Sequence, residues 1–170
     1  PESPEWNYLI HRKLLSNTIR RFQIRKGRGK YRDRVVIPIL AENGKLVAYV
    51  ARAIKKGMQP KTRKNRSPHR TFFGIYEILR DMEVGNRFPL VIVEGEIDAM
   101  YLQQFGVPAV SNMGTVGMSP YKVWLIRKFA SRVILSFDGD EAGYNAMYGT
   151  EKIEGHRNAV RKHVPVSIVD

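Results

Sequence analysis

Two apolar runs in the chain stop abruptly at acidic clusters. Leu90-Val91-Ile92-Val93 gives way to Glu94-Gly95-Glu96-Ile97-Asp98, and Arg132-Val133-Ile134-Leu135-Ser136-Phe137 to Asp138-Gly139-Asp140-Glu141-Ala142-Gly143. Short continuous apolar runs, each followed by helical periodicity, are the pattern of parallel strands buried on both faces. Around them the pattern predicts a helix over 99–105 ended by Gly106, a strand Ala109–Ser111, and a helix from Ser119 or Pro120 to Phe129. A helix Glu141–Tyr148, a further helix within 151–163 and a last strand over 166–169 follow. Trp124, Leu125 and Phe129 are expected in the core. Strand and helix alternate, which predicts a parallel sheet with right-handed crossovers. Upstream the pattern differs. Helices are expected over 5–12 and 16–22, the second with Ser16 as N-cap. Strands over 34–40 and 45–51 are joined at Asn43-Gly44, a strong hairpin signal. Pro38 cannot donate to a ladder, so it belongs at an edge or bulge. A helix over 75–82 presents Ile75, Ile78, Leu79 and Met82 on one face, and residues 85–89 form a boundary.

The acidic clusters therefore fall at strand tips, where the crevice of an open α/β sheet binds ligands. Asp138 and Asp140, two apart in extended backbone, point the same way and can share a cation. Gly139 lets the chain turn and a ligand come near. Glu94 faces them from another tip, as a further ligand or a proton acceptor, with Gly95 in the turn and Asp98 in the next helix's first turn. An oxygen-only set suits Mg²⁺ or Mn²⁺. Capping or favouring helix N-termini is the alternative role for Asp140 and Asp98.

Composition narrows the class. At 170 residues, 43% hydrophobic and 26% charged, the chain can bury one good core or two small ones. No apolar stretch approaches a membrane span and no signal peptide opens it, so no membrane partner is expected. There is no cysteine, and His11, His69, His156 and His163 are too scattered for a zinc site; both suit the cytoplasm. The start at Pro1 and the stop soon after Val169 suggest a fragment of a longer polypeptide. Charge is uneven: residues 1–88 hold 21 Lys and Arg against 7 Asp and Glu, residues 89–170 hold 8 against 9. All of the net +13 thus lies upstream, as expected if a polyanion crosses the first half while the second handles a metal. Lys55, Lys56, Lys61, Arg63, Lys64, Arg66 and Arg70, with no acid among them and Gly57, Pro60 and Pro68 breaking any helix, predict a mobile basic loop. The alternative is a merely solvated surface run. The aromatic residues sit mostly at periodic apolar positions, so no exposed stacking platform is expected.

Glu94-Gly95 with Asp98, then Asp138-Gly139-Asp140 with Gly143, resembles the Toprim signature of DnaG-type primases, topoisomerases and some nucleases. The upstream residues choose the primase branch. Tyr31-Arg32-Asp33-Arg34-Val35-Val36-Ile37-Pro38-Ile39, Gly44 and Ala51-Arg52 are similar to the hairpin of the primase core. Asn65-Arg66-Ser67-Pro68 and Phe73-Gly74-Ile75-Tyr76 resemble its next motifs, Asn112-Met113-Gly114-Thr115 its turn between the acidic strands, and Tyr8-Leu9 to Phe22 its opening helices.

The resemblance implies an α/β fold: a Toprim domain over 89–170, its central mainly parallel sheet flanked by helices and truncated after its last strand, preceded by a small basic α+β subdomain over 1–88. It implies synthesis of short RNA primers on a single-stranded DNA template from ribonucleoside triphosphates, in a bacterial cell or the host of a phage. Glu94, Asp138 and Asp140 would be catalytic and, with Asp98, hold the metal. Arg34, Arg52, Lys61, Lys64, Asn65, Arg66 and Arg70 would contact template or nucleotide. A replicative helicase, fused or separate, and a zinc-binding domain elsewhere in the polypeptide are the implied partners. The family's third acidic motif would lie beyond Asp170. Two other readings stay open: a Toprim nuclease or topoisomerase fragment, and an inactive nucleic-acid-binding module.

Overall fold

The computed structural model describes residues 3–65, 70–83, 85–114, 118–151 and 153–169. Two short helices come first, α1 (Pro4–His11) and α2 (Ser16–Arg21). Ser3, followed by Pro4 in the first turn, caps α1 by accepting from Trp6 N. The expected cap at Ser16 is corrected: Ser16 is already helical, Leu15 occupies the cap position, and its N–H donates to Gln104 Oε1. Gln104 thus holds the chain where it enters α2, and no side chain of the cap residue bonds the first turn.

An antiparallel sheet follows, ordered β1 (Arg25–Lys26), β2 (Arg34–Leu40), β3 (Leu46–Ala53), β4 (Thr62–Lys64). The Asn43-Gly44 hairpin forms, with Gly44 at φ 81°, where glycine carries no steric cost. β1 pairs only with Val35 and Val36, so at Pro38 β2 has a strand partner on one side alone, as its missing N–H requires. The expectation of a loop throughout 55–70 is corrected for 62–64, which pair with Val50, Ala51 and Arg52. An all-polar triplet gains strand structure from the exposed edge of β3.

After α3 (Ile75–Leu79), the chain builds a second sheet from β5 (Phe88–Val93), β6 (Ala109–Ser111), β7 (Ala130–Leu135) and β10 (Val166–Ile168). All its pairings are parallel, in the order β10-β7-β5-β6. The connecting helices are α4 (Glu96–Gln103), α5 (Pro120–Phe129), α6 (Glu141–Tyr148) and α7 (His156–Arg161), with a ribbon of β8 (Gly149–Thr150) and β9 (Ile153–Glu154) after α6. From β5 the chain passes to β6 on one side, then returns to β7 on the other. The strand order therefore reverses between β5 and β7, and such a switch point opens a crevice at the strands' carboxyl ends.

One apolar cluster fills the space beneath α5, α7 and the parallel sheet, with Leu90, Ile92, Val133 and Leu135 all but inaccessible. The other joins Val35, Ile37 and Val50 of the antiparallel sheet to Val93, Ile97, Met100 and Met113. Phe73 belongs to this second cluster and bridges to Ser111 at the end of β6. The basic sheet is thereby packed onto the elements that carry the first acidic tip. Trp124 is corrected: it is 42% exposed, while Lys122, Leu125 and Ile126 of α5 are buried. Among the described residues no helix is long and apolar enough to cross a membrane.

Candidate active site at the strand tips

Register decides what meets at the switch point. Ile92 pairs with Leu135, and Ser136 N donates to Ile92 O at 3.0 Å, so β5 and β7 end side by side. Glu94 and Asp138 leave these adjacent ends, and the Asp138 backbone N–H donates to Glu94 Oε1 at 3.1 Å. Gly143 lets α6 pass close: a Cβ there would stand 2.1 Å from the Asp138 carbonyl oxygen and 2.7 Å from Glu94 Oε1. Asp140 is the N-cap of α6, its Oδ1 accepting from Gly143 N at 2.8 Å. Asp98 lies in the first turn of α4 and folds over Gly95, whose absent Cβ would be 2.2 Å from Asp98 Oδ2. Burial pushes the Glu94 carboxyl above its ordinary range. The charges of Asp138, Asp140 and Asp98 push it the same way, against the Asp138 N–H that favours its anion. Glu94 thus senses all three aspartates.

Among the described residues no three acidic or imidazole side chains are arranged as a ready-made metal cage. Mg²⁺ commonly keeps several waters and takes one or two carboxylates together with substrate phosphates. An all-oxygen donor set beside an open pocket, with burial and then the charges of three aspartates raising the Glu94 pKa, fits that kind of ion.

Beneath the tips lies a buried polar chain. Ser111 Oγ donates to the Glu94 carbonyl at 2.6 Å and accepts from Met113 N at 2.8 Å. Lys122 Nζ donates to Asn112 Oδ1 at 2.6 Å, and Asn112 Nδ2 meets His156 Nε2. His156 Nδ1 pairs with the Ala146 carbonyl in α6; since a carbonyl only accepts, Nδ1 carries the proton and Nε2 accepts from Asn112. Burial lowers the His156 pKa, the Ala146 bond opposes that, and the Lys122 charge adds to the lowering. Burial, with help from the Lys64 charge, brings Lys122 down to about 7.

The basic residues divide. Lys64 Nζ donates to Met113 O at 2.5 Å, which places this cation at the turn beside the acidic tips. Arg52 donates to Tyr8 Oη at 3.1 Å and, with Arg12, Lys55, Lys56 and Lys61, lines a pocket that shares no residue with the acidic one. Arg34 is corrected as a contact residue: it is 2% exposed and its Nη1 donates to the Ala51 carbonyl, so it serves the sheet. Asn65 Oδ1 accepts from Tyr49 N at 2.8 Å, which extends the β3–β4 ladder and commits that oxygen to structure. Arg70 is exposed, and its charge is felt by Tyr121. Arg66, Ser67, Pro68, Thr115, Gly117 and Asp170 lie outside the described residues.

Residues 91–165 match the family described as Toprim-like. A DNA primase of Legionella pneumophila is 30% identical over 137 residues, covering 76% of this chain and 23% of that protein. The chain belongs to the Toprim-containing DnaG primase family. In fold, the Toprim chain is similar to the Aquifex aeolicus primase (zinc-binding and RNA polymerase domains), with TM-score 0.77 at 21% identity over 96% of this chain and 48% of that one. It is also similar to a DnaG primase catalytic domain solved bound to ssDNA, with TM-score 0.71 at 24% identity over 84% and 56%. The chain spans less than a quarter of the length of the curated relatives it matches.

Some residues of the Toprim site carried no recognised signal in the sequence. Lys122 sits on the apolar stripe of α5, four residues before Ile126, and a lysine on such a stripe was the available clue. His156 and Ser111 had none beyond proximity to the motifs. The expected absence of a stacking platform is corrected. Tyr144 is 63% exposed and Tyr148 39% exposed beside the acidic tips, and Tyr121 and Trp124 are exposed on α5, with Lys128 over the Trp124 ring.

Proposed function

We propose that this chain is part of the catalytic core of a DnaG-type DNA primase, joining ribonucleotides into short RNA primers on single-stranded DNA. What carries this reading is the register of β5 and β7, which brings Glu94 to the Asp138 backbone and gathers Asp98 and Asp140 about the same crevice. Asp138, with Asp140 or Glu94, would hold Mg²⁺ or Mn²⁺, and Asp98 would add to the negative field. When bound, the ion supplies charge neutralisation for the triphosphate as the phosphoryl bond is exchanged. Glu94 has the raised pKa that suits a group accepting the proton of an attacking 3′-hydroxyl.

Residues 1–88 would hold template and triphosphate, and 89–170 would supply the chemistry. Lys64 stands close to the tips through its bond to the Met113 carbonyl. Arg52 and Lys61 line a pocket suited to phosphates, and Arg66 and Arg70 are further candidates for template or triphosphate contacts. A replicative helicase and a zinc-binding domain elsewhere in the polypeptide are the expected partners, and the cytoplasm of a bacterium, or of a phage's host, the expected setting.

The test is incubation of the chain with single-stranded template, labelled ribonucleotides and Mg²⁺ or Mn²⁺. Short RNA products support the primase, cut template points to a nuclease, and retention without turnover points to a binding module. Asp138→Asn and Glu94→Gln should each abolish synthesis while leaving template retention nearly intact. Full synthesis by either variant refutes the role given to that residue.

A further inference from the structure

Tyr144 and Tyr148 stand one turn apart on α6, their ring centroids 4.6 Å apart and tilted by 39°. Both are exposed, at 63% and 39%. They line a cavity of about 290 Å³ together with Asp138, Gly139 and Asp140, among other residues. This volume lies just below the roughly 300–1,000 Å³ usual for small-molecule sites. The lining thus combines two carboxylates with two exposed aromatic rings. A ligand that fits must carry charge that a cation can bridge to carboxylates, and, some distance away, a planar group.

We propose that this aromatic pair is the seat for the base of a nucleoside triphosphate whose phosphates are held at the acidic tips. The inference rests on the metal-dependent reading of those tips and adds a base subsite to it. Tyr144 and Tyr148 follow the helix cap Asp140 by four and eight residues, which at 1.5 Å per residue sets them roughly 6 and 12 Å along the axis. A triphosphate and its ribose span about that reach in extended form, given heavy-atom bond lengths near 1.5 Å. Stacking on tyrosine is tolerant of sequence, because every base has a π-face. A primase that copies any template needs that tolerance, and the pair would position a nucleotide without reading it.

The experiment compares binding of ATP and of inorganic tripolyphosphate to the full chain in Mn²⁺ by titration calorimetry. Tripolyphosphate reports the acidic site alone, and the ratio of the two affinities reports the base. The wild-type ratio should be roughly 5- to 150-fold, the range for one stacked base. Tyr144→Ala and Tyr148→Ala should each reduce it and the double variant should bring it near one. Tyr144→Phe should retain it, and none should change tripolyphosphate binding. Because both rings are exposed, circular dichroism should show the variants folded. If tripolyphosphate does not bind in Mn²⁺, the reading of the acidic tips falls and this proposal with it. If it binds but ATP binds no tighter, or the alanine variants leave the ratio unchanged, the base seat alone is overturned.

Discussion

Gly143→Ala sets two effects of opposite sign against each other. Replacing glycine inside α6 by alanine gains about 0.5–1 kcal/mol of intrinsic helix stability. The new Cβ, however, would stand 2.1 Å from the Asp138 carbonyl oxygen, whereas ordinary contact begins near 3.4 Å, so the two must part by about 1.3 Å. The obstacle is backbone, so no side-chain rotation relieves it, and overpacking of this kind costs about 1–3 kcal/mol. The net should be a loss of roughly 1–2 kcal/mol. For a chain of this size that is a fall in Tm of about 2–8 °C. Function should suffer more. Moving the Asp138 carbonyl displaces the N–H that holds Glu94 Oε1 and the helix that Asp140 caps, and a misplacement near 1 Å costs about 100-fold in rate. Gly139→Ala is the control, since a Cβ there meets nothing within 4 Å; its Tm should stay within about 1–2 °C of wild type. Thermal unfolding and primer synthesis are measured for both. A Gly143→Ala variant that melts at or above wild type and keeps its synthesis would refute the close-packed tips.

Lys122 makes stability depend on pH in a known direction. Its folded pKa, about 7, is below the ordinary 10.5, so between these values the unfolded chain holds more protons and stability rises with pH from about 7 to 10.5. Lys122→Met should flatten that rise in pH-dependent denaturant unfolding, and an unchanged slope would show that the amine is not desolvated. Arg34 and the pocket cations should separate by assay. Arg34→Met should lower Tm and leave the salt dependence of template binding unchanged. Arg52→Ala and Lys61→Ala should each shrink the logarithmic salt slope by about 0.7, as for one phosphate contact on a single strand. A smaller slope in Arg34→Met would reinstate that residue as a contact.

The parallel sheet was legible because its strands are buried on both faces and read as continuous apolar runs, and Ala109–Ser111 and Glu141–Tyr148 fall where the pattern predicts. Helix starts were less visible. α4 begins at Glu96, earlier than expected, because the acidic cluster is itself the first turn and Glu96 is buried there. β4 left no trace because Thr62, Arg63 and Lys64 contribute backbone to the edge of β3 and bury little. Trp124 misled for the converse reason. Its size suggested core, but the buried stripe runs through Lys122, Leu125 and Ile126, and helical geometry turns Trp124 away from it. Arg34 was expected to contact template or nucleotide because its flanking residues resemble the primase hairpin, yet it is 2% exposed and its guanidinium is bonded to the Ala51 carbonyl.

How the two halves act together follows from what joins them. Their charges differ in sign, so under the proposed function a polyanion would be drawn to residues 1–88 and repelled by bare carboxylates at the tips until a cation lay between. Attraction alone would leave the spacing loose. The spacing is set by packing: Phe73 bridges to Ser111, Ser111 holds the Glu94 carbonyl and the Met113 N–H, and Lys64 holds the Met113 carbonyl. Each link is short, and the apolar ones lie within the cluster shared by the antiparallel sheet and α4. A strand of nucleic acid lying on the basic sheet, as proposed, would therefore be referred to the carboxylates through packed and hydrogen-bonded contacts. Such contacts resist the sub-ångström drift that transfer between aligned oxygens cannot tolerate.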